Sequence, residues 1–191
     1  MRLLNAKVGS IPVLQWARNK GYRWDEETCT AAARLGHLEA LKWLHANGSP
    51  WDGWTSTAAV EGGHLELLKW LKNNHCPMHS QRVCNFAAKH GQLEVLKWAR
   101  EQGYKWDAST CTCAEAAGEG NLETLTWARN NGYPWDDCTC FDAALNGHLE
   151  VLEWAMNHGC PWFDGICIRA IDAANFEVVK WLLEMGAHEM R

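Results

Sequence analysis

The sequence predicts an all-α fold, a solenoid of helix-turn-helix repeats in seven units that form one domain over residues 1–191. Three observations predict it. Trp16, Trp43, Trp70, Trp98, Trp127, Trp154 and Trp181 are spaced 27, 27, 28, 29, 27 and 27 residues apart. Seven residues before each stands Gly9, Gly36, Gly63, Gly91, Gly120, Gly147 and, departing, Ala174. Seven residues further back runs a column of small side chains, Cys29, Ser56, Cys84, Cys113, Cys140 and Cys167, each followed three positions later by Ala32, Ala59, Ala87, Ala116, Ala143 or Ala170. A fixed period in this range marks a repeat architecture. The units span approximately 1–24, 25–51, 52–78, 79–106, 107–135, 136–162 and 163–191.

Each unit spells two helices. Asp25, Asp52, Asp107 and Asp136 suit an N-cap, where a carboxylate accepts the free N–H groups of a first turn. The Cys and Ala positions make a narrow apolar stripe at helical spacing, and their small size lets a neighbouring helix approach closely. Gly36 and its equivalents end the first helix in a left-handed turn. In the second helix of the second copy, Leu38, Leu41, Trp43 and Leu44 form the buried face, while Glu39 and Lys42 point outward. Gly48 ends it, Pro50 prevents its continuation, and Trp51-Asp52 lead into the next unit. A second Trp column (Trp24, Trp51, Trp106, Trp135, Trp162, with Met78 in the third slot) recurs at these turns. Both Trp columns are expected to pack in the core, with a loss of about 3–5 kcal/mol on truncating a buried member.

The unit resembles the ankyrin repeat. The stretch TCTAAARLGHLEALKWLHANGSPWD (Thr28 to Asp52) carries the A-A-x-x-G-H-L-E core and the later Gly of that family, and the likeness runs through nearly all the chain. It is similar to the short, Trp-rich ankyrin-like repeats of large DNA viruses and protists. Three features depart from the family pattern. Cys stands for Leu, Trp stands for the first Leu of L-L-L, and the period is about six residues short of the family's. The missing residues fall where the family builds a β-hairpin finger, so trimmed fingers or plain turns are expected. The family's finger-mediated binding mode then loses its structural basis.

The ends differ from the middle. Arg2 and Asn5 put polar residues at the Cys and Ala positions of the first copy. The last copy stops just after Gly186 and has Leu183 where earlier copies carry Arg18, His45, Lys72, Arg100 or Arg129. An apolar terminal face points to a partner, to self-association, or to a piece of a longer array. Stacking at about 8–10 Å per unit predicts an arc on the order of 60 Å long.

Composition narrows the function classes. A net charge of -5 supplies no basic field for nucleic acid or an acidic membrane. The longest apolar runs fall far short of a membrane span. The first twenty residues carry charges and a Pro where a signal peptide needs an apolar run. Nine Cys, an odd number, without such a signal point to reduced thiols in the cytoplasm or nucleus.

Metal and catalytic readings compete with packing. Cys111-Thr112-Cys113 and Cys138-Thr139-Cys140 look like ligand pairs, but on a helix i and i+2 point about 200° apart. Stacked equivalents should lie about 8–10 Å apart, beyond the roughly 4.4–6.8 Å that a disulfide needs between Cα atoms. The Cys column therefore reads as core, with Cys76 and Cys160 the least constrained thiols. His37, His64 and His148 share a register with Ser10, Gln92 and Asn121. A catalytic base tolerates no such exchange, whereas a helix-capping hydrogen bond does. The recurring Glu39, Glu66, Glu94, Glu123, Glu150 and Glu177 read as a solvated first turn. No nucleophile elbow, phosphate loop or H-E-x-x-H is present. The expectation is no enzyme, no cofactor and no metal.

What remains is a binding module for a protein partner, with a structural or self-associating spacer as the alternative. The slots that vary between copies are those not needed for stacking. Arg34, Leu35, Trp54, Arg82, Lys89, His90, Glu119 and Leu145 are the partner-binding candidates, with Trp54, Arg82, Lys89 and His90 at the centre because Trp and Arg dominate hot spots. The resemblance places these slots beside the concave face of the ankyrin family. Trp54 stands off both Trp columns and either meets a partner or lies flat on the next unit.

Overall fold

The computed structural model describes residues 9–104, 112–163 and 165–185. Within them lie thirteen α-helices and no strand. The lone α1 (Ile11–Asn19) is followed by six helix pairs: α2 (Glu26–Arg34) with α3 (Leu38–Ala46), α4 (Gly53–Glu61) with α5 (Leu65–Asn73), α6 (Ser80–Lys89) with α7 (Leu93–Glu101), α8 (Thr112–Gly118) with α9 (Leu122–Asn130), α10 (Asp137–Leu145) with α11 (Leu149–Asn157), and α12 (Ile166–Asp172) with α13 (Phe176–Glu184). Arg2, Asn5, Trp106, Asp107, the insert 108–110, Cys111 and Gly186 lie outside the described residues.

The chain divides into two compact units, Met1–Val83 and Cys84–Arg191. In the first, α2 packs on α4, and each first helix packs on its own second helix, α2 on α3 and α4 on α5. In the second, α10 packs on both α8 and α12, and the pairs α8–α9, α10–α11 and α12–α13 repeat the same arrangement.

The start signals work as the sequence predicts. Asp25 accepts from the Thr28 N–H at 3.2 Å, and Asp136 from the Cys138 N–H at 3.2 Å. Asp52 accepts from the N–H groups of Trp54 and Thr55 at 2.9 and 3.3 Å, while Thr55 reaches back to the Asp52 N–H, completing a capping box. Turns replace the β-hairpin finger: between α3 and the Asp52 cap there is no strand.

The stop between the paired helices is a left-handed residue closed by two bonds. The Gly36 N–H donates to the Ala33 carbonyl and the His37 N–H to the Ala32 carbonyl, with Gly36 at φ 72°. Ala174 takes the same conformation at φ 58° in place of Gly, and His75 at φ 61° replaces the later Gly. An L side chain is crowded there, at a cost of roughly 1 kcal/mol each.

The core is narrower than the Trp count suggests. Ala32, Ala59, Ala87, Ala116, Ala143 and Ala170 are fully buried, as are Cys29, Cys84 and Cys140. Leu41, Leu44, Leu68, Leu71, Leu96, Leu125, Leu152 and Leu182 fill the second helices' inner face. Each fully buried Leu stabilises the fold by roughly 1.5–3 kcal/mol. Both Trp columns, by contrast, sit mostly on the flank. Trp98 is buried, Trp43, Trp70, Trp127, Trp154 and Trp181 are half-buried, and Trp16 is exposed. The two columns meet edge to face, Trp24 on Trp43, Trp51 on Trp70 and Trp135 on Trp154, with centroids 5.3–5.9 Å apart. The residue two positions after the helix Trp then lies over the turn Trp: the Arg18 and Arg129 guanidiniums on Trp24 and Trp135 at 4.4 Å, and the His45 ring stacked on Trp51 at 3.7 Å. These Trp residues form a half-exposed aromatic layer rather than the core.

Candidate interaction surface

One recurring polar position in the interior was missed by the sequence reading. The residue after the second-helix Gly, or after His75 in its place, is Tyr22, Ser49, Cys76, Tyr104, Tyr133 or Cys160. Its recurrence directly behind Gly21, Gly48, Gly103, Gly132 and Gly159 was the available signal. This residue points back at the small-residue column. Cys29 donates to the Ser49 hydroxyl at 3.3 Å. Cys76 and Cys160 donate to the carbonyls of Asp52 and Asp136 at 3.4 and 3.3 Å. Cys76 and Cys160 are thus buried and held, not loosely placed. Burial pushes the Cys84 thiol up to about 11 and those of Cys76 and Cys113 up to about 12. The Cys140 thiol is raised first by its hydrogen bond with Cys160 and then by burial. Protonated, buried thiols are poor nucleophiles.

Cys138 and Cys140 point apart, the first exposed and the second buried. Asp136, Asp137 and Cys138 have ligand atoms within 4.8 Å of one another, all exposed. Asp136 already accepts from the Cys138 N–H, so the group is accounted for as a helix start.

The His register caps, but across repeats. His37, His64 and His148 make no side-chain bond to their own helices. His64 instead donates from Nε2 to the Arg34 carbonyl at 3.0 Å, at the end of the preceding first helix. Asn121 does the same to Ala88 and Lys89, and Asn175 to Ala144 and Leu145, at 2.7–3.0 Å. The ring or amide lies where a Cβ on the preceding Gly would stand. A Cβ on Gly36 would come within 2.5 Å of His64, and one on Gly120 within 2.7 Å of His148.

The variable slots fall into two groups. Trp54 and Arg82 sit in the first turns of α4 and α6, while Arg34, Lys89 and Leu145 end α2, α6 and α10. Lys89 and His90 thus stand at the opposite end of α6 from Arg82. Trp54 is 51% exposed, and the Arg82 guanidinium lies 4.4 Å from its ring centroid. Arg34 pairs with Glu61 at 3.2 Å. Lys89 lies 3.6 Å from both Glu115 and Glu119. His90 stacks on Phe86. Leu35 and Leu145 are exposed at the helix ends. Beside Trp54 opens a notch of about 360 Å³, lined by Asp25, Glu26, Glu27, Thr30, Asp52 and Trp54. The sequence reading assigned Asp25 and Asp52 only a capping role and passed over Glu26 and Glu27. Glu27 occupies in its copy the slot that Trp54 and Arg82 fill in theirs, which was the signal.

Residues 29–71 match the family model for ankyrin repeats in many copies. The crystal structure of the human ASB11 ankyrin repeat domain superposes with a TM-score of 0.67 at 22% identity, covering 85% of this chain and 85% of that one. The fold is that of an ankyrin-repeat domain, and residues 29–71 read as ankyrin repeats. No curated protein sequence matches it. Ankyrin repeats are generally protein–protein interaction modules, and the family is a non-catalytic scaffold. Among the described residues, no helix is long and apolar enough to cross a membrane.

Proposed function

We propose that the chain is a protein-interaction module whose repeats act as one domain, presenting the exposed ends of successive first helices to a protein partner. The observation that carries this reading is Trp54, half exposed and held flat under Arg82. Trp and Arg supply most hot-spot energy, and a ring fixed before binding loses little entropy on docking. Arg34 and Leu35 in the first unit, and Lys89, His90, Glu119 and Leu145 in the second, stand at the other ends of the first helices as secondary ground, where exposed ion pairs contribute specificity more than affinity. The buried thiols pack in the core and His64 caps a neighbouring repeat, which supports a binding rather than a catalytic reading. Free cysteines at every described Cys position support a reducing, intracellular compartment.

The test compares the chain with its Trp54→Ala and Arg82→Ala variants as baits in extract from the native cells. A protein retained by the parent and lost from both variants, at unchanged melting temperature, supports the proposal. Equal retention by all three baits sinks it. One observation favours a second reading, self-association. Ile168, Ile171, Phe176 and Leu183 are all exposed on α12 and α13. Sedimentation at rising concentration separates the two, because only self-association makes the mass grow.

A further inference from the structure

We propose that Cys140 and Cys160 form a reversible disulfide, a covalent staple across one repeat that a peroxide closes and a small thiol opens. The pairing follows from the repeat. Cys29 and Ser49, twenty residues apart, meet with Sγ and Oγ at 3.3 Å. The same spacing separates Ser56 from Cys76, Cys84 from Tyr104, Cys113 from Tyr133 and Cys140 from Cys160. Of these five pairs the last alone holds two thiols. Cys140 lies in α10 and Cys160 just past α11, both buried and both free. They already share a hydrogen bond, so their sulfurs stand side by side. The stacked Cys of successive copies are held apart by a helix-packing distance of about 8–10 Å; a link within one repeat does not have to cross it.

The two sulfurs are not equivalent. Cys160 is the nearer to solvent, 3% exposed against 0% for Cys140. The Cys140 S–H donates to Cys160 and holds the Cys160 thiol below its ordinary range. Beside Cys160 stands the Thr139 hydroxyl, fully buried and without a hydrogen-bond partner while Cys160 is neutral. A Cys160 thiolate gives that proton an acceptor. Cys160 is therefore the attacking sulfur. Its thiolate takes one oxygen from hydrogen peroxide and becomes a sulfenic acid; the hydroxide released picks up the proton that Cys160 lost. The Cys140 sulfur then attacks the sulfenic sulfur, and its own proton leaves with the displaced hydroxyl as water. Two thiols and one peroxide give one disulfide and two waters, the sulfurs supplying both electrons.

The test treats the folded full chain with hydrogen peroxide, blocks the remaining thiols under denaturing conditions, and maps peptides by mass spectrometry. The expected product is a Cys140–Cys160 link that dithiothreitol removes. The linked chain should melt about 5–10 °C above the reduced one. Cys140→Ser and Cys160→Ser should both fold, because Ser56 with Cys76 and Cys29 with Ser49 are the same combinations in other copies. Neither variant should gain stability on oxidation. A link from Cys160 to Cys113, a link from Cys140 to Cys138, or oxidation of Cys160 without any link overturns the proposal. So does a Cys140–Cys160 link that forms only in urea, since the folded repeat must bring the two together.

Discussion

His64 donates its Nε2 proton to the carbonyl oxygen of Arg34, 3.0 Å away and one repeat earlier. The bond satisfies a helix-end carbonyl that Arg34's own helix leaves open. His64→Ala should therefore destabilise by about 1 kcal/mol. His64→Asn should recover most of the loss, because Asn121 and Asn175 make the same bond in other copies. Urea unfolding of the two variants checks this; equal midpoints would show that the bond carries no weight.

Gly36 and Gly48 separate two demands on glycine. Both have positive φ, 72° and 77°. A Cβ on Gly36 meets the His64 ring at 2.5 Å, whereas one on Gly48 meets nothing within 4 Å. Gly48→Ala should cost about 1 kcal/mol, the left-handed penalty alone. Gly36→Ala should cost more, since it also displaces the cap. Matched melting curves decide it. The reverse substitution, Ala174→Gly, should stabilise.

Alkaline pH should weaken the fold. The thiols of Cys76, Cys84 and Cys113 are raised from 9.0 to about 12, about 11 and about 12. Between pH 9 and those values the unfolded chain has released protons that the folded chain keeps. The stabilisation is complete below pH 9 and is lost as pH climbs toward 11–12. At pH 10 the loss should be roughly 1 kcal/mol per buried thiol. The urea midpoint should fall between pH 8 and pH 10, and less steeply in Cys84→Ser. A flat profile would contradict it.

Thiol labelling should distinguish Cys138 from its neighbour Cys140. Cys138 is exposed and Cys140 fully buried. Among the described cysteines, Cys138 should react first with an aromatic disulfide reagent, and Cys29, Cys84, Cys113 and Cys140 only on unfolding. Peptide mapping after brief labelling reads the order. Early modification of Cys140 would place that helix differently.

The repeat period alone makes the helix pairs, the Asp caps and the Gly stops legible in the sequence. The Trp placement is not legible there, because hydrophobicity does not tell core from flank. With about 100° per residue, Trp43 sits about 60° from Ala40, on the side away from Leu41 and Leu44. The close-packed Ala and Cys stripes leave room inside for Leu but not for indoles. Cross-repeat capping by His64 is hidden for another reason: its partner lies thirty residues back, and only stacking brings them together. Trp54 and Arg82 share one repeat slot in consecutive copies, so their meeting could have been read from the register. The notch beside Trp54 was legible only in part: Glu27 shares the slot of Trp54 and Arg82, but the space between two copies is not written in the register.

The exchange of His for Asn in the cross-repeat bond has a genetic consequence. The bond recognises a helix-end carbonyl and a neighbouring glycine, so it does not depend on which copy lies beneath it. A duplicated copy arrives with its own donor and its own acceptor, and a deleted copy leaves a matching joint behind. Unequal recombination can therefore change copy number in whole steps while each new junction closes with chemistry the chain already uses.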